Sequence, residues 1–215
     1  MQPHYPNLNP DKALLWRIVH RDNLPWIWQN GLHCGNSQVR CASWVNIGSA
    51  DLISKRAIHP VPVPPGGTLN DYVPFYFTPF SVMMLNIHTG RGVPQRANEE
   101  IVILVSSLPH LWDQGIPFLF TDMHAYYPWA SFLANLNDLG KIDWGILQRR
   151  DFRRDPNDPI KFERYQAEAL VHRHCPVTGL LGVVCYTKTM KQQIEQQLVT
   201  RGVVLPVYVR TGWYF

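Results

Sequence analysis

Phe162-Glu163-Arg164-Tyr165-Gln166-Ala167-Glu168-Ala169-Leu170-Val171 is a polar approach that runs into an apolar segment. Ala169-Leu170-Val171 reads as the start of a buried strand, short, unbroken and ending in a β-branched residue. In extended chain Gln166 and Glu168 lie two apart and point to one face, so the stretch delivers an amide and a carboxylate to a strand mouth. A carboxylate there is placed to touch a ligand, or is simply an exposed strand-end acid.

Outward from this stretch, apolar runs set the rest of the fold. Leu14 to His20 reads as a first strand, followed by a helix from Leu24 to Asn30 that Asp22 or Asn23 caps and Gly31 ends. From Cys34 to Pro65 no period holds, and a connection of that length inside a compact domain is a functional loop or carries its own short helix; Asp51 to Ala57 fits such a helix, with Arg56 near its end. Val73 to Pro79 is a strand between prolines, at an edge or bend, and the methionine-rich Ser81 to His88 reads as its companion. Ile101 to Val105 is a central strand and Pro117 to Asp122 another. Trp129 to Leu139 shows helical spacing, Gln148 to Gln166 is a charged loop, and Gly182 to Tyr186, Lys188 to Thr200 and Val203 to Val209 read as strand, helix and strand. The sum is an α+β chain with about six strands and peripheral helices.

Composition narrows the class. With 215 residues, 46% of them hydrophobic, the chain supports one sizeable core, and we take residues 1–215 as a single domain. No apolar run is long enough to cross a bilayer. The start, Met1-Gln2-Pro3-His4-Tyr5-Pro6, lacks the basic and then apolar order of a secretory leader, so a cytoplasmic protein is expected. Cys34, Cys41, Cys175 and Cys185 show no paired zinc spacing, and neither His33 with Cys34 and Cys41 nor the run His172-Arg173-His174-Cys175 has the spacing of a known site, so no metal is expected. The formal charge is only +4, but Arg149, Arg150, Arg153 and Arg154 fall within six positions. Such a cluster suits phosphate contact, while Asp151, Asp155 and Asp158 beside it also allow a solvated loop with local ion pairs.

Five segments resemble, in order along the chain, the DNA ADP-ribosyltransferase toxins called DarT, partners of DarG macrodomain antitoxins. They are Arg17-Ile18-Val19-His20-Arg21-Asp22-Asn23-Leu24, the run from Pro64 to Pro79 (PPGGTLNDYVPFYFTP), Phe118-Leu119-Phe120-Thr121-Asp122, Gln166-Ala167-Glu168 and the terminal Trp213-Tyr214-Phe215. The resemblance implies a mono-ADP-ribosyltransferase fold, two packed twisted β-sheets forming an NAD cleft with peripheral helices. It implies transfer of ADP-ribose from NAD to a base in single-stranded DNA, thymidine in most members and guanosine in a separate branch. It also implies a toxin held in check by a DarG-like macrodomain antitoxin.

By matched position, Glu168 is the catalytic glutamate, Arg56 the arginine that contacts NAD and assists removal of the thymine proton, and Arg17, Ile18 and Val19 line the nicotinamide pocket. Arg17 stands where other members have His, and Phe80 where others carry Arg. For the acceptor side, Gln166 suits an amide-like base edge, Tyr76 and Met83 suit packing against an extruded base, and His124 suits proton movement near neutral pH. Arg149, Arg150, Arg153 and Arg154 suit the DNA backbone, where contacts position a strand without reading it. Two alternatives stay open from residues alone: the same donor with guanine, RNA or protein as acceptor, or a single-strand binding module without catalysis.

Overall fold

The computed structural model describes residues 4–215. Met1, Gln2 and Pro3, on which part of the expectation about a leader rests, lie outside the described residues. Among the described residues ten strands and seven α-helices follow one another along the chain. They are β1 (Leu14–His20), α1 (Leu24–Asn30), β2 (Leu32–His33), α2 (Ala50–Ile58), β3 (Tyr72–Tyr76), α3 (Val82–Thr89), β4 (Ile101–Ser107), α4 (Leu108–Asp113), β5 (Phe118–Thr121) and β6 (Phe132–Leu133), then α5 (Trp144–Gln148), α6 (Lys161–Arg164), β7 (Glu168–His172), β8 (His174–Cys175), β9 (Gly182–Cys185), α7 (Lys188–Thr200) and β10 (Val207–Val209).

Eight strands hydrogen-bond in the order β10-β9-β4-β1-β3-β7-β5-β6, and β2 with β8 forms a separate ribbon. The halves of the large sheet are firmly laddered. β1 pairs β4 from Leu14↔Ser107 to His20↔Ile101, and β3 pairs β7 from Tyr72↔His172 to Tyr76↔Glu168. Between the halves, β1 and β3 share the one register pair Trp16↔Tyr76. The two sheets implied by the resemblance are therefore two four-stranded halves joined at one point. Pro74 explains part of the opening, because it has no N–H to offer a ladder. Its carbonyl is taken instead by the Arg17 side chain, Nη1 donating at 2.7 Å.

Burial follows the ladder. Every residue of β4 except Val105 is buried, as expected for a strand covered on both faces. Trp16, Phe75, Phe77 and Phe120 carry the core across the junction, each at most 2% exposed. Helix α7 lays Met190, Ile194 and Leu198 inward at four-residue spacing, and α1 reaches it through Trp28 Nε1 donating to Gln197 Oε1 at 3.1 Å. The terminal Trp213-Tyr214-Phe215 is fastened to the same core: Trp213 meets Trp16 edge to face. The Tyr214 hydroxyl lies 3.1 Å from Ile101 O and 3.2 Å from Val184 O.

Several expectations are corrected. Ser81 to His88 is not a strand paired with β3 but helix α3, with the Ser81 hydroxyl accepting the Met84 N–H and Gly90 ending it at φ 72°. The run looked like a strand because its buried residues leave no polar stripe to betray a helix. Trp129 to Leu139 is not one helix. Ser131 N–H is held by Asp122 Oδ1, Phe132 and Leu133 pair with β5, and a 3₁₀ segment from Leu136 follows a cap at Asn135. The final strand starts at Val207 rather than Val203, directly after Pro206. Asn23 precedes α1 without capping it, because its amide exchanges two bonds with the Val45 backbone, both 2.8 Å. A short helix, α6, sits inside the segment read as loop from Gln148 to Gln166.

Candidate active site

Splaying of the two halves opens a cavity of 710 Å³. Its floor comes from β1 and β3, and one wall is α2. Ser49 caps α2 by accepting the Leu52 N–H, and Asp51 and Lys55 pair on the outer face at 2.7 Å. The helix therefore turns Arg56 inward, where it is 9% exposed rather than a terminal cation in solvent.

Glu168 opens β7 and is 3% exposed. Its Oε2 accepts from Arg56 Nη1 at 2.8 Å, and its Oε1 accepts the Ala125 N–H at 3.1 Å. Its own backbone N–H donates to Thr121 Oγ1 at 3.2 Å, while that hydroxyl donates to Met123 O at 2.6 Å, so β5 and the loop after it fix the strand end. Burial alone would push the Glu168 carboxyl up. The Arg56 charge and the Ala125 N–H overcome it, with His124 also adjacent, and the carboxyl lies below its ordinary value. Glu168 is thus an ionised acid inside the protein, held by a guanidinium and a backbone amide.

His124 Nδ1 lies 3.8 Å from Glu168 Oε1 but accepts the Tyr126 N–H at 3.1 Å. A ring nitrogen that accepts carries no proton, so the neutral imidazole holds its proton on Nε2. The neutral ring is therefore a donor, not a base, at Nε2. Across the sheet Tyr76 stands directly opposite Glu168. Burial, then the neighbouring carboxylate, pushes its hydroxyl up to about 12 and keeps it neutral. Burial likewise brings Arg17 down to about 10, still cationic at neutral pH.

All of Arg17, Ile18, Val19, Arg56, Tyr76, Met83, His124, Gln166 and Glu168 line this one cavity. Met83 reaches it from α3 rather than from a strand. Gln166 does so from the turn after α6, with Nε2 donating to Phe162 O at 3.2 Å, so the extended-chain face shared with Glu168 is not what unites them. Arg149, Arg150, Arg153 and Arg154 line neither this cavity nor the groove beside it. Arg150 lies between the rings of Phe80 and Phe215, 4.3 Å from each centroid, and Arg154 covers Phe162 at 4.5 Å. Thr121, and the N–H groups of Ala125 and Tyr126, escaped the sequence reading. The Phe-Leu-Phe-Thr-Asp match pointed to the first; backbone donors leave no residue signature.

Two buried donors in the cavity wall, Arg17 Nε and Arg56 Nη2, have no hydrogen-bond partner among the described residues. Buried guanidinium N–H groups left unpaired are costly, and they fit a ligand rich in anionic or carbonyl oxygen, as a pyrophosphate-linked dinucleotide amide is. A metal has no comparable place. Among the described residues no group of three or more His, Cys, Asp or Glu side chains could hold one. His33 and His174 stack at 4.4 Å and direct their Nε2 atoms to Asn30 O. No helix among the described residues is long and apolar enough to cross a membrane.

The family model described as ssDNA thymidine ADP-ribosyltransferase, DarT, matches residues 16–215. The chain belongs to the DarT family. It is 61% identical over 210 residues to a DNA ADP-ribosyl transferase of Escherichia coli O127:H6, covering 97% of this chain and 96% of that protein. The solved structure of Thermus sp. 2.9 DarT in complex with ADP-ribosylated ssDNA superposes with a TM-score of 0.87 at 30% identity, covering 100% of both chains. That of Thermus sp. 2.9 DarT in complex with NAD+ gives 0.83 at 31%, covering 96% of this chain and 100% of the other. Within this DarT-family chain the Arg56–Glu168 pair lies in the cleft between the two half-sheets, flanked by the two unpaired guanidinium donors.

Proposed function

We propose that this chain, acting as one catalytic domain, transfers ADP-ribose from NAD to thymidine in single-stranded DNA, and that Arg56 and Glu168 carry the reaction. The observation that carries this reading is the buried, ionised Glu168 facing a cavity whose other charged groups, Arg17, Arg40 and Arg56, are all cations. Its support from relatives is the DarT family itself and the DNA- and NAD-bound Thermus proteins.

Transfer breaks the bond from the nicotinamide nitrogen to ribose C1′, the nicotinamide leaving with the electron pair, and positive charge builds on the sugar as in glycoside cleavage. A fixed carboxylate is worth most where charge develops, and Glu168 is already dehydrated and aligned by Arg56 and Ala125 N–H. Arg17 and Arg56 offer their free N–H groups to the donor's oxygens, with Ile18 and Val19 against the nicotinamide. A thymine ring nitrogen forms the new bond to C1′ and gives up its proton. Arg56 stays protonated in almost any environment, so it serves as a cation beside the deprotonating base, the proton passing to solvent. His124 offers Nε2–H to a thymine carbonyl as negative charge grows there. Gln166, Tyr76 and Met83 hold the extruded base.

NAD and DNA are both cytoplasmic, and we place the protein there as the toxin of a toxin–antitoxin pair with a DarG-like macrodomain antitoxin. Incubation of the purified protein with NAD and oligonucleotides, with or without thymine, tests the acceptor by mass spectrometry. A gain of one ADP-ribose on thymine alone is expected; labelling of thymine-free strands at equal rate removes the assignment.

A further inference from the structure

β1 carries Arg17, Ile18 and Val19 into the cavity floor and ends in His20, which also lines the cavity although it is only 4% exposed. Neither of its ring nitrogens is free. Nδ1 accepts the Asp22 N–H at 3.2 Å, so the neutral ring carries its proton on Nε2, which lies 3.3 Å from Glu100 Oε1. Glu100 is itself fixed, accepting the Ala97 N–H at 2.9 Å and Arg96 Nη1 at 3.3 Å. The Ala97 N–H above all, with His20 and Arg96 adding to it, holds its carboxyl below the ordinary value. A carboxylate therefore aims the ring, and the ring caps the 3₁₀ turn Arg21–Asn23.

That turn ends on Asn23, 2% exposed, whose amide clasps the N–H and the carbonyl of Val45 at 2.8 Å each. Among the described residues, 41–48 make no other hydrogen bond to the rest of the chain; their remaining ones join Cys41 to Ser43 and Trp44, and Asn46 to Gly48. Yet Cys41 and the run from Trp44 to Gly48 form a wall of the cavity. Trp44 also meets Trp26 edge to face at 5.7 Å, but ring contacts tolerate sliding where a pair of hydrogen bonds does not. The register of this wall is thus set by one amide, and the place of that amide by the turn that His20 caps.

We propose that His20, aimed by Glu100, is a positioning residue for the NAD donor: it sets the turn that aligns Asn23, and Asn23 holds residues 41–48 as a wall against which NAD binds. The inference rests on NAD as the donor in the reaction proposed above and not on the identity of the acceptor base. With both nitrogens occupied, His20 acts through Asn23 rather than on the reacting atoms. His20→Ala removes the cap and the bond to Glu100 together, whereas His20→Asn keeps an acceptor, Oδ1, near the place of Nδ1.

The test is calorimetry of NAD binding, beside the transfer rate at saturating NAD, for wild type, His20→Ala, His20→Asn, Glu100→Ala and the double alanine variant. His20→Ala should weaken NAD binding by about tenfold, the loss of one cap bond, with the saturated rate within about twofold of wild type. His20→Asn should recover most of that affinity. Glu100→Ala should weaken binding by about threefold, and the double variant should bind no worse than His20→Ala, because both changes act through one ring. Unchanged affinity in His20→Ala, no recovery in His20→Asn, a saturated rate that falls as far as the affinity, or losses that add in the double variant overturns the inference. Glu100→Ala leaves the His20 cap bond in place, so unchanged NAD affinity there overturns it even where His20→Ala does not fold. Wild type that binds no NAD removes the donor and the inference with it; the expected NAD affinities without labelling of thymine remove the acceptor assignment and leave the inference standing.

Discussion

Arg56 and Glu168, separated by 112 positions in the chain, meet at 2.8 Å with both side chains almost wholly out of water. One comes from the last turn of a helix and the other from the first residue of a strand. Between them they close the charged end of the cavity.

Glu168→Gln preserves the acceptor for Ala125 N–H and the side-chain shape while removing the charge. Transfer to thymine should fall by about 100- to 1,000-fold, the usual loss when one preorganised electrostatic group is removed. NAD binding, followed by calorimetry, should fall far less. A variant that transfers at the wild-type rate would remove the carboxylate from the mechanism.

Breaking the pair from either side should also cost stability, because each partner leaves the other's charge buried alone. Glu168→Ala and Arg56→Ala should each lower unfolding free energy by about 3–5 kcal/mol in denaturant titration. Truncation to alanine therefore confounds folding with chemistry, and Glu168→Gln is the better probe of the reaction.

Acid should act on the same pair. The folded Glu168 carboxyl lies below its ordinary value, so its contribution is complete above the unfolded carboxyl's range and is lost as pH falls through the folded value. Wild type should therefore lose more stability than Glu168→Gln as pH falls from the ordinary carboxyl range down through the folded value. Equal losses in the two proteins would show that the carboxylate is not held down by Arg56.

On the role proposed for His124 at the acceptor, His124→Ala should slow transfer to thymine more than it slows cleavage of NAD by water. Roughly 100-fold is expected on transfer. Parallel losses in both reactions would place His124 with the donor instead.

The four clustered arginines should separate into two behaviours. Arg149, Arg153 and Arg154 are exposed and Arg150 is inserted between two rings. Reversing the charge of the exposed three should weaken single-strand binding and reduce its dependence on salt by about 0.7 in log–log slope for each phosphate no longer neutralised. Arg150→Ala should instead lower thermal stability, by about 1 kcal/mol, because the guanidinium no longer sits against two ring faces. A salt slope unchanged in the triple variant would assign the whole cluster to local structure.

Most of the elements are local events and were legible as such. The Leu14–His20 strand and the Lys188–Thr200 helix have the bounds read from their residues, because period and flanking residues are encoded within a few positions. Failures came where a neighbour in space decided. Asn23 gave its amide to Val45 rather than to a helix end, and Phe132 and Leu133 took strand form because β5 offers an edge.

The residues alone determined the family pattern, the class of chemistry and the two charged groups that the cavity brings together, since side-chain type and order along the chain suffice for that. Tertiary structure decided what those groups are. Only the fold makes Arg56 a buried partner of Glu168, sets His124 as a donor through the Tyr126 N–H, and removes the clustered arginines from the cleft. Each of these depends on which backbone groups and charges lie within a few ångströms, and that is fixed by closing the chain on itself, not by neighbours in sequence.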